Sequence, residues 1–358
     1  MKVLKQLDSK ADFCFLGGDL MEEVAGRKPT IHIQQMAFMG FIDVLKNLSK
    51  IKVNFKIVKA DIEKYNPDVV ILVDYPGFNL RMAKWAKLKG FKTFFYVSPT
   101  VWAWKEGRIE EIKKYVDKMF VILPFEKPFY AKHNCDVEFV GHPLLDAIED
   151  RKNSMLSREE FVSKNNLGSK EIIAILPGSR KQELERMLDI LLQFKDNFKE
   201  YEMVLGGTTN VPKHLYDKAL EKGFKVVFDQ TYELMQYAKA GVIKSGTSTL
   251  EAALFGLPEV VCYRGGALSF WIARQVVNSS LKYISLVNLI MDKEIVKELL
   301  QEDMTAAKIS EELNKLLNDN VYREHLKSEY VELKKQLGGL GASKRIANAM
   351  YNSLSQKN

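Results

Sequence analysis

The chain has 358 residues, 46% hydrophobic and 28% charged, which is more than one ordinary core requires and excludes a disordered or fibrous protein. Lys+Arg exceed Asp+Glu by 53 to 46, a formal charge of +7 that favours an anionic partner such as a nucleotide, a phosphate or an acidic lipid surface without choosing among them. Three scattered cysteines, Cys14, Cys135 and Cys262, form neither a C-x-x-C pair nor a disulfide framework, and no stretch approaches the ~20 apolar residues of a membrane span, so the sequence predicts a cytoplasmic protein, while its length and composition suggest two α/β domains.

In chain order, "MAFMGFIDVLKNL" (36–48) comes first, with Met36, Phe38, Met39, Phe41 and Ile42 nearly contiguous and a basic stretch after it. Core packing explains such a run; contact with a membrane or acyl chains is the sharper alternative. "DVVILVDYP" (68–76), "KTFFYVSP" (92–99), "KMFVILPF" (118–125) and "VEFVGHP" (137–143) then read as buried strands separated by helical stretches such as "LRMAKWAKLKG" (80–90), the pattern of parallel βαβ units. Asp74 in "VDYPGFN" stands at a strand tip, where partial burial would raise its pKa toward that of a useful base, although the same stretch reads equally as an ordinary turn. Trp102 and Trp104, with Lys105 and Arg108, suit a lipid or sugar surface or an anchor packed under a loop. His142 in "VGHPLL" fits capping or packing better than catalysis.

A polar segment (149–170) marks the domain boundary, and the strand pattern restarts at "EIIAILPGSR" (171–180), "EMVLGG" (202–207), "KVVFDQ" (225–230), "AGVIKSG" (240–246) and "EVVCYR" (259–264). In "ILPGSRKQELERML", a strand meets a Pro-Gly-Ser turn and a helix whose first turn carries Arg180. Free N–H groups and a guanidinium there suit a phosphate; a tight turn with a surface arginine is the plainer alternative. "SGTSTLEAALFGLP" supplies Ser245, Gly246 and Thr247 for close approach, and Glu251, in the first helical turn, for the vicinal hydroxyls of a ribose; it also reads as a helix cap. Together the two turns offer the phosphate and ribose contacts of one nucleotide. No metal-ligand spacing, G-x-S-x-G or P-loop occurs, which removes support from zinc, hydrolase and P-loop functions. The predicted domains are 1–148, completed by a tail helix at 341–358, and 149–340.

The ordered motifs "MAFMGF", "NPDVVILVDYPGFN", "YVSPTVWAWKEGR", "LPFEKPFY", "FVGHPL", "LPGSR", "SGTSTLEAAL", "YISLVNLI" and "KELLQE" give the chain a resemblance to the lipid-A-disaccharide synthase family. The resemblance implies two facing Rossmann-like domains (the GT-B arrangement) with a C-terminal helix crossing back to the first. It also implies metal-independent, inverting transfer of 2,3-diacylglucosamine from UDP to the 6-hydroxyl of 2,3-diacylglucosamine 1-phosphate, by a peripheral enzyme on the cytoplasmic face of a Gram-negative inner membrane. No cofactor and no nucleic acid is implied, and a homo-oligomer stays open. Carried over by position, Asp74 becomes the general base and Arg180 the stabiliser of the departing diphosphate. Ser245, Gly246, Thr247, Glu251, Asn288 and Gln301 then form the UDP site, and Met39, Phe41, Trp102, Trp104 and Arg108 the acceptor and lipid contacts. The family usually opens with a strand and a Gly-rich G-E-x-S-G-D turn ahead of "ADFCFLGG" (11–18). Here "MKVLKQLDSK" reads as the end of the helix that follows them, so that strand and loop are expected to lie upstream of Met1 in a longer reading frame. Another UDP-sugar lipid transferase, a UDP-sugar 2-epimerase and a non-catalytic UDP-sugar or lipid binder remain as rival readings.

Overall fold

The computed structural model describes residues 1–36, 47–266 and 282–355. They form two compact units, Met1–Pro143 with Gly341–Asn358, and Leu144–Leu340.

In the first unit, β1 (Leu16–Gly17) and β2 (Ile31–His32) form a parallel pair. β3 (Val70–Val73), β4 (Thr93–Tyr96), β5 (Lys118–Val121) and β6 (Glu138–Phe139) form a second, fully parallel sheet in the order β3-β4-β5-β6. Helices cover a parallel sheet on both faces, so its central strands read as continuous apolar runs rather than alternating ones, and Phe94, Phe95, Phe120 and Val121 are all completely buried. Helix Pro76–Leu88 starts with its proline at the first turn, where a missing N–H costs nothing, and buries Phe78, Leu80, Met82, Ala83 and Ala86. The C-terminal helix Ala342–Ser355 crosses back to this unit: Ile346 and Met350 pack with Phe94, Phe120 and Val140, each such burial contributing about 1.5–3 kcal/mol. Two side chains fasten it, Lys92 Nζ donating to the Ser353 carbonyl at 2.6 Å and Arg345 Nε to the Val140 carbonyl at 2.8 Å.

The second unit has β7 (Ile172–Leu176), β8 (Glu202–Gly207), β9 (Lys225–Phe228), β10 (Ala238–Lys244), β11 (Glu259–Tyr263) and β12 (Lys297–Leu300) in one parallel sheet ordered β12-β11-β10-β7-β8-β9. Strand order reverses between β7 and β10, the switch point beside which doubly wound sheets bind ligands at the carboxyl ends of their strands. Strand β12 lies where no strand was predicted. "KELL" is built of good helix formers, and its pairing with β11 overrides that local preference. The polar stretch 149–170 is folded rather than a linker. It holds the end of helix Leu144–Lys152 and all of helix Arg158–Lys164, the latter opened by a reciprocal capping box between Ser157 and Glu160. Among the described residues, no helix is long and apolar enough to cross a membrane.

Candidate active site

The strand tips of the second unit carry most of the residues expected from the sequence at the nucleotide site. β7 runs into Gly178 at φ +108°, a left-handed backbone that suits glycine, and then into Arg180, which caps helix Lys181–Leu191 with its side chain 58% exposed. One strand over, β10 ends at Lys244. Ser245 is buried and donates to the Ile284 carbonyl at 3.2 Å, Gly246 is the N-cap of helix Thr247–Phe255, and Thr247, its first residue, is exposed. The two turns are tied together by Glu183, whose Oε1 lies 2.8 Å from Lys244 Nζ and 3.6 Å from Arg180 Nη1. Beyond β11, Gln301 follows β12 with φ +52°, and its Nε2 is buried without a hydrogen-bond partner. A Cβ placed on Gly265 would sit 3.2 Å from that amide nitrogen and 3.2 Å from the Tyr263 hydroxyl, so a glycine lets the backbone at 265 lie close against this orphaned donor. Arg180, Ser245 to Thr247 and Gln301 therefore lie on an arc along β7, β10, β11 and β12 at one edge of one sheet.

Glu251 and Asn288 are placed differently from what the sequence suggests. Glu251 sits beyond the first turn of its helix, which contains no acidic residue; it accepts a hydrogen bond from Tyr232 at 3.1 Å, and burial raises its carboxyl above the usual range against the lowering effect of that bond. Asn288 is completely buried. Its Nδ2 donates to the Val296 carbonyl and to Glu298 Oε1, both at 2.9 Å, and its Oδ1 accepts from the N–H groups of Ile295 and Val296 at 2.8 and 3.0 Å. With both donors and both lone pairs used, it braces the segment leading to Gln301 and has no capacity left for a ligand.

In the first unit, Asp74 follows β3 and is exposed, not partly buried as its strand-tip position suggests; β3 is the edge of its sheet, with no strand paired on its far side among the described residues. Asp74 and Tyr75 are consecutive left-handed residues with φ +47° and +45°, held by Asn79, whose Nδ2 donates to the carbonyls of Val73 at 2.9 Å and Asp74 at 2.7 Å. Val97 at φ +64° occupies the same place after β4. A β-branched residue there is a genuine outlier, and backbone of this kind costs about 1–3 kcal/mol per residue. Behind these tips lies a buried polar cluster. Glu126 Oε2 accepts from the N–H groups of Leu123 at 2.9 Å and Ile122 at 3.2 Å, and Ser98 Oγ is 2.7 Å from the Tyr130 hydroxyl. Burial pushes the Glu126 carboxyl up to about 7 although those N–H groups, Ser98 and Trp102 favour its charged form. His142 is buried and its imidazole pulled down to about 4 by desolvation, so it is neutral at pH 7.

Trp102 packs edge-on against Phe125 with ring centroids 4.9 Å apart, whereas Trp104 is exposed and has two cations near its ring, Lys105 Nζ at 4.4 Å and Arg108 Cζ at 5.4 Å from the centroid. Met39 and Phe41 lie outside the described residues. Glu126, Asn79, Glu183 and Lys244 were not singled out from the sequence. The only signal for them was position, each lying within a few residues of a strand tip. Among the described residues, no group of three or more His, Cys, Asp or Glu side chains could hold a metal ion.

The profile of the Lipid-A-disaccharide synthetase family matches residues 1–350. The lipid-A-disaccharide synthase of Coxiella burnetii (strain Dugway 5J108-111) is 36% identical over 354 residues, covering 98% of this chain and 92% of the relative. Among solved structures, UDP-GlcNAc 2-epimerase from Neisseria meningitidis bound to UDP-GlcNAc superposes with a TM-score of 0.65 at 15% identity, covering 98% of this chain and 95% of that one. The glycosyltransferase of kitacinnamycin does so at 0.59 and 12%, covering 98% and 94%. At such identities the structures establish the α/β fold with two Rossmann-like sheets, shared by epimerases and GT-B glycosyltransferases alike, while the sequence match separates the two classes. The chain is an enzyme that belongs to the lipid-A-disaccharide synthetase family of glycosyltransferases.

Proposed function

We propose that this enzyme joins UDP-2,3-diacylglucosamine to 2,3-diacylglucosamine 1-phosphate, giving the disaccharide 1-phosphate and UDP with inversion at the anomeric carbon. In this reading the acceptor 6-hydroxyl attacks the anomeric carbon as the bond from that carbon to the diphosphate breaks, and its proton passes to the Asp74 carboxylate. The charge gathering on the departing UDP is met by the Arg180 guanidinium and the N–H groups at the start of helix Lys181–Leu191. Glu251 accepts from the ribose hydroxyls, the turn Ser245–Gly246–Thr247 lies against the sugar end of the nucleotide, and Gln301 donates to a base carbonyl. Asn288 braces that wall. Trp104, Arg108 and Lys105 meet the anionic, acylated surface from which the acceptor comes, which makes the enzyme peripheral on the cytoplasmic face of the inner membrane.

The observation that carries the nucleotide assignment is the orphaned Gln301 donor, a buried amide left unpaired at about 1–3 kcal/mol on the same sheet edge as the Arg180 turn. The test is product analysis with both lipid substrates. Equal amounts of UDP and a disaccharide of inverted anomeric configuration are expected, unchanged by a chelator. A C2-epimerised UDP-sugar, or UDP binding without turnover, would instead select the epimerase or the non-catalytic reading.

A further inference from the structure

We infer that Lys244 is a further cation of the diphosphate site, and that the Glu183 carboxylate competes with the ligand's diphosphate for Lys244 and Arg180. The inference rests on the UDP reading above and adds an internal competitor to it. Lys244 ends β10 and Glu183 stands in the first turn of helix Lys181–Leu191, so the pair bridges the two βα turns at the switch point of the sheet. The ammonium lies 2.8 Å from Glu183 Oε1, and both side chains are largely shielded, at 18% and 17% exposure. Arg180 reaches the same oxygen at 3.6 Å. Lys244 Nζ is also 3.8 Å from where a Cβ on Gly246 would be, which sets the charge beside the second turn.

The second oxygen of Glu183 makes the competition explicit. A Cβ on Gly178 would sit 2.4 Å from Glu183 Oε2, so the carboxylate lies directly over the Pro-Gly-Ser turn. A glycine with φ +108° admits it. An anion over a helix N-terminus, between a guanidinium and an ammonium, occupies the place a phosphate would take. A shielded cation left without a partner is costly, so a built-in carboxylate that yields to the diphosphate spares Lys244 that cost before binding and re-pairs it after UDP leaves. Exchange of a single negative charge for the larger charge of a diphosphate favours the ligand, and the residual competition limits how tightly product is held.

Calorimetry with UDP and with uridine tests this on the whole chain. Glu183→Gln should bind UDP roughly tenfold more tightly and Lys244→Met roughly tenfold more weakly, uridine affinity staying the same in each. The Glu183→Gln effect should shrink in the double variant, because the main cation under competition is gone. Weaker UDP binding in Glu183→Gln would make Glu183 a brace and overturn the competition, and unchanged UDP binding in Lys244→Met would remove Lys244 from the site. Should Lys244→Met not fold, Lys244→Gln provides the same comparison. A wild-type chain that binds neither UDP nor uridine would refute the nucleotide reading itself, whereas one that binds UDP while both variants behave as wild type refutes only this inference.

Discussion

The strand tips of the two units differ in how they hold their functional groups. In the second unit, every residue of β7 is buried, β10 beside it is paired on both sides, and Arg180, Lys244 and Glu183 are cross-linked by charge. In the first unit, Asp74 stands exposed after a strand that is the edge of its sheet among the described residues, its left-handed backbone held by the Asn79 side chain and by the Asp74 N–H donating to the Tyr96 carbonyl at 3.0 Å. A central parallel strand anchors its tip through two neighbours, so its turn is preorganised. An edge strand has one, and at Asp74 a side-chain clamp from Asn79 adds to it and holds the strained backbone.

The largest expected effect probes the exposed tip. Asp74→Asn keeps the shape and removes the proposed base, so turnover should fall by roughly 10²–10⁴ while UDP affinity measured by calorimetry stays at the wild-type value. Near-normal turnover would break the comparison, because the strained tip would then have no catalytic role. Next comes Arg180→Ala on the preorganised side. It should lower kcat/KM by roughly 10²–10³ and weaken UDP binding in the same variant, because the charge it meets is present in bound UDP and grows as the bond breaks. A loss in turnover with UDP affinity intact would move Arg180 away from the diphosphate.

The smallest effect concerns the polar cluster behind the first unit's tips. Glu126 has its carboxyl pushed up to about 7 by burial, against roughly 4.3 in an unfolded chain, so the folded state holds the proton more tightly. Its contribution to stability is therefore fully present below about pH 4.3 and is lost as pH rises through about 7. Glu126→Gln keeps an oxygen to accept from Leu123 and Ile122 and cannot titrate. Relative to wild type, its melting temperature should rise by a few degrees, about 2–4 °C per kcal/mol, between pH 5 and pH 8. A constant difference across that range would show that the carboxyl does not hold its proton in the fold.

Much of the fold was legible in the sequence. The apolar strand runs and their Gly- or Pro-tipped ends announced parallel βαβ units, and nearly every strand predicted in the second domain contains an observed one, since strands buried on both faces need long apolar runs. The turn at Arg180 and the turn at Ser245 to Thr247 were legible for the same reason, because small residues at a strand-to-helix junction are demanded locally. β12 was not, since "KELL" becomes a strand only through the neighbour it pairs with.

What tertiary structure alone decided is which polar groups face one another and which are shielded. Sequence placed Asn288 among the ligand contacts; packing surrounds its amide with four internal partners. Sequence gave no reason to join Glu183 to Lys244, 61 positions apart, until β7 and β10 became neighbours in the sheet. Glu259, a charged residue at the start of β11, is completely buried with both carboxylate oxygens unpaired, and burial drives its carboxyl well above the ordinary range. Periodicity and turn chemistry are local properties that a chain carries in its order of residues. Desolvation and the pairing of distant charges depend on what the fold brings within a few ångströms, and these decide the chemistry of the strand tips.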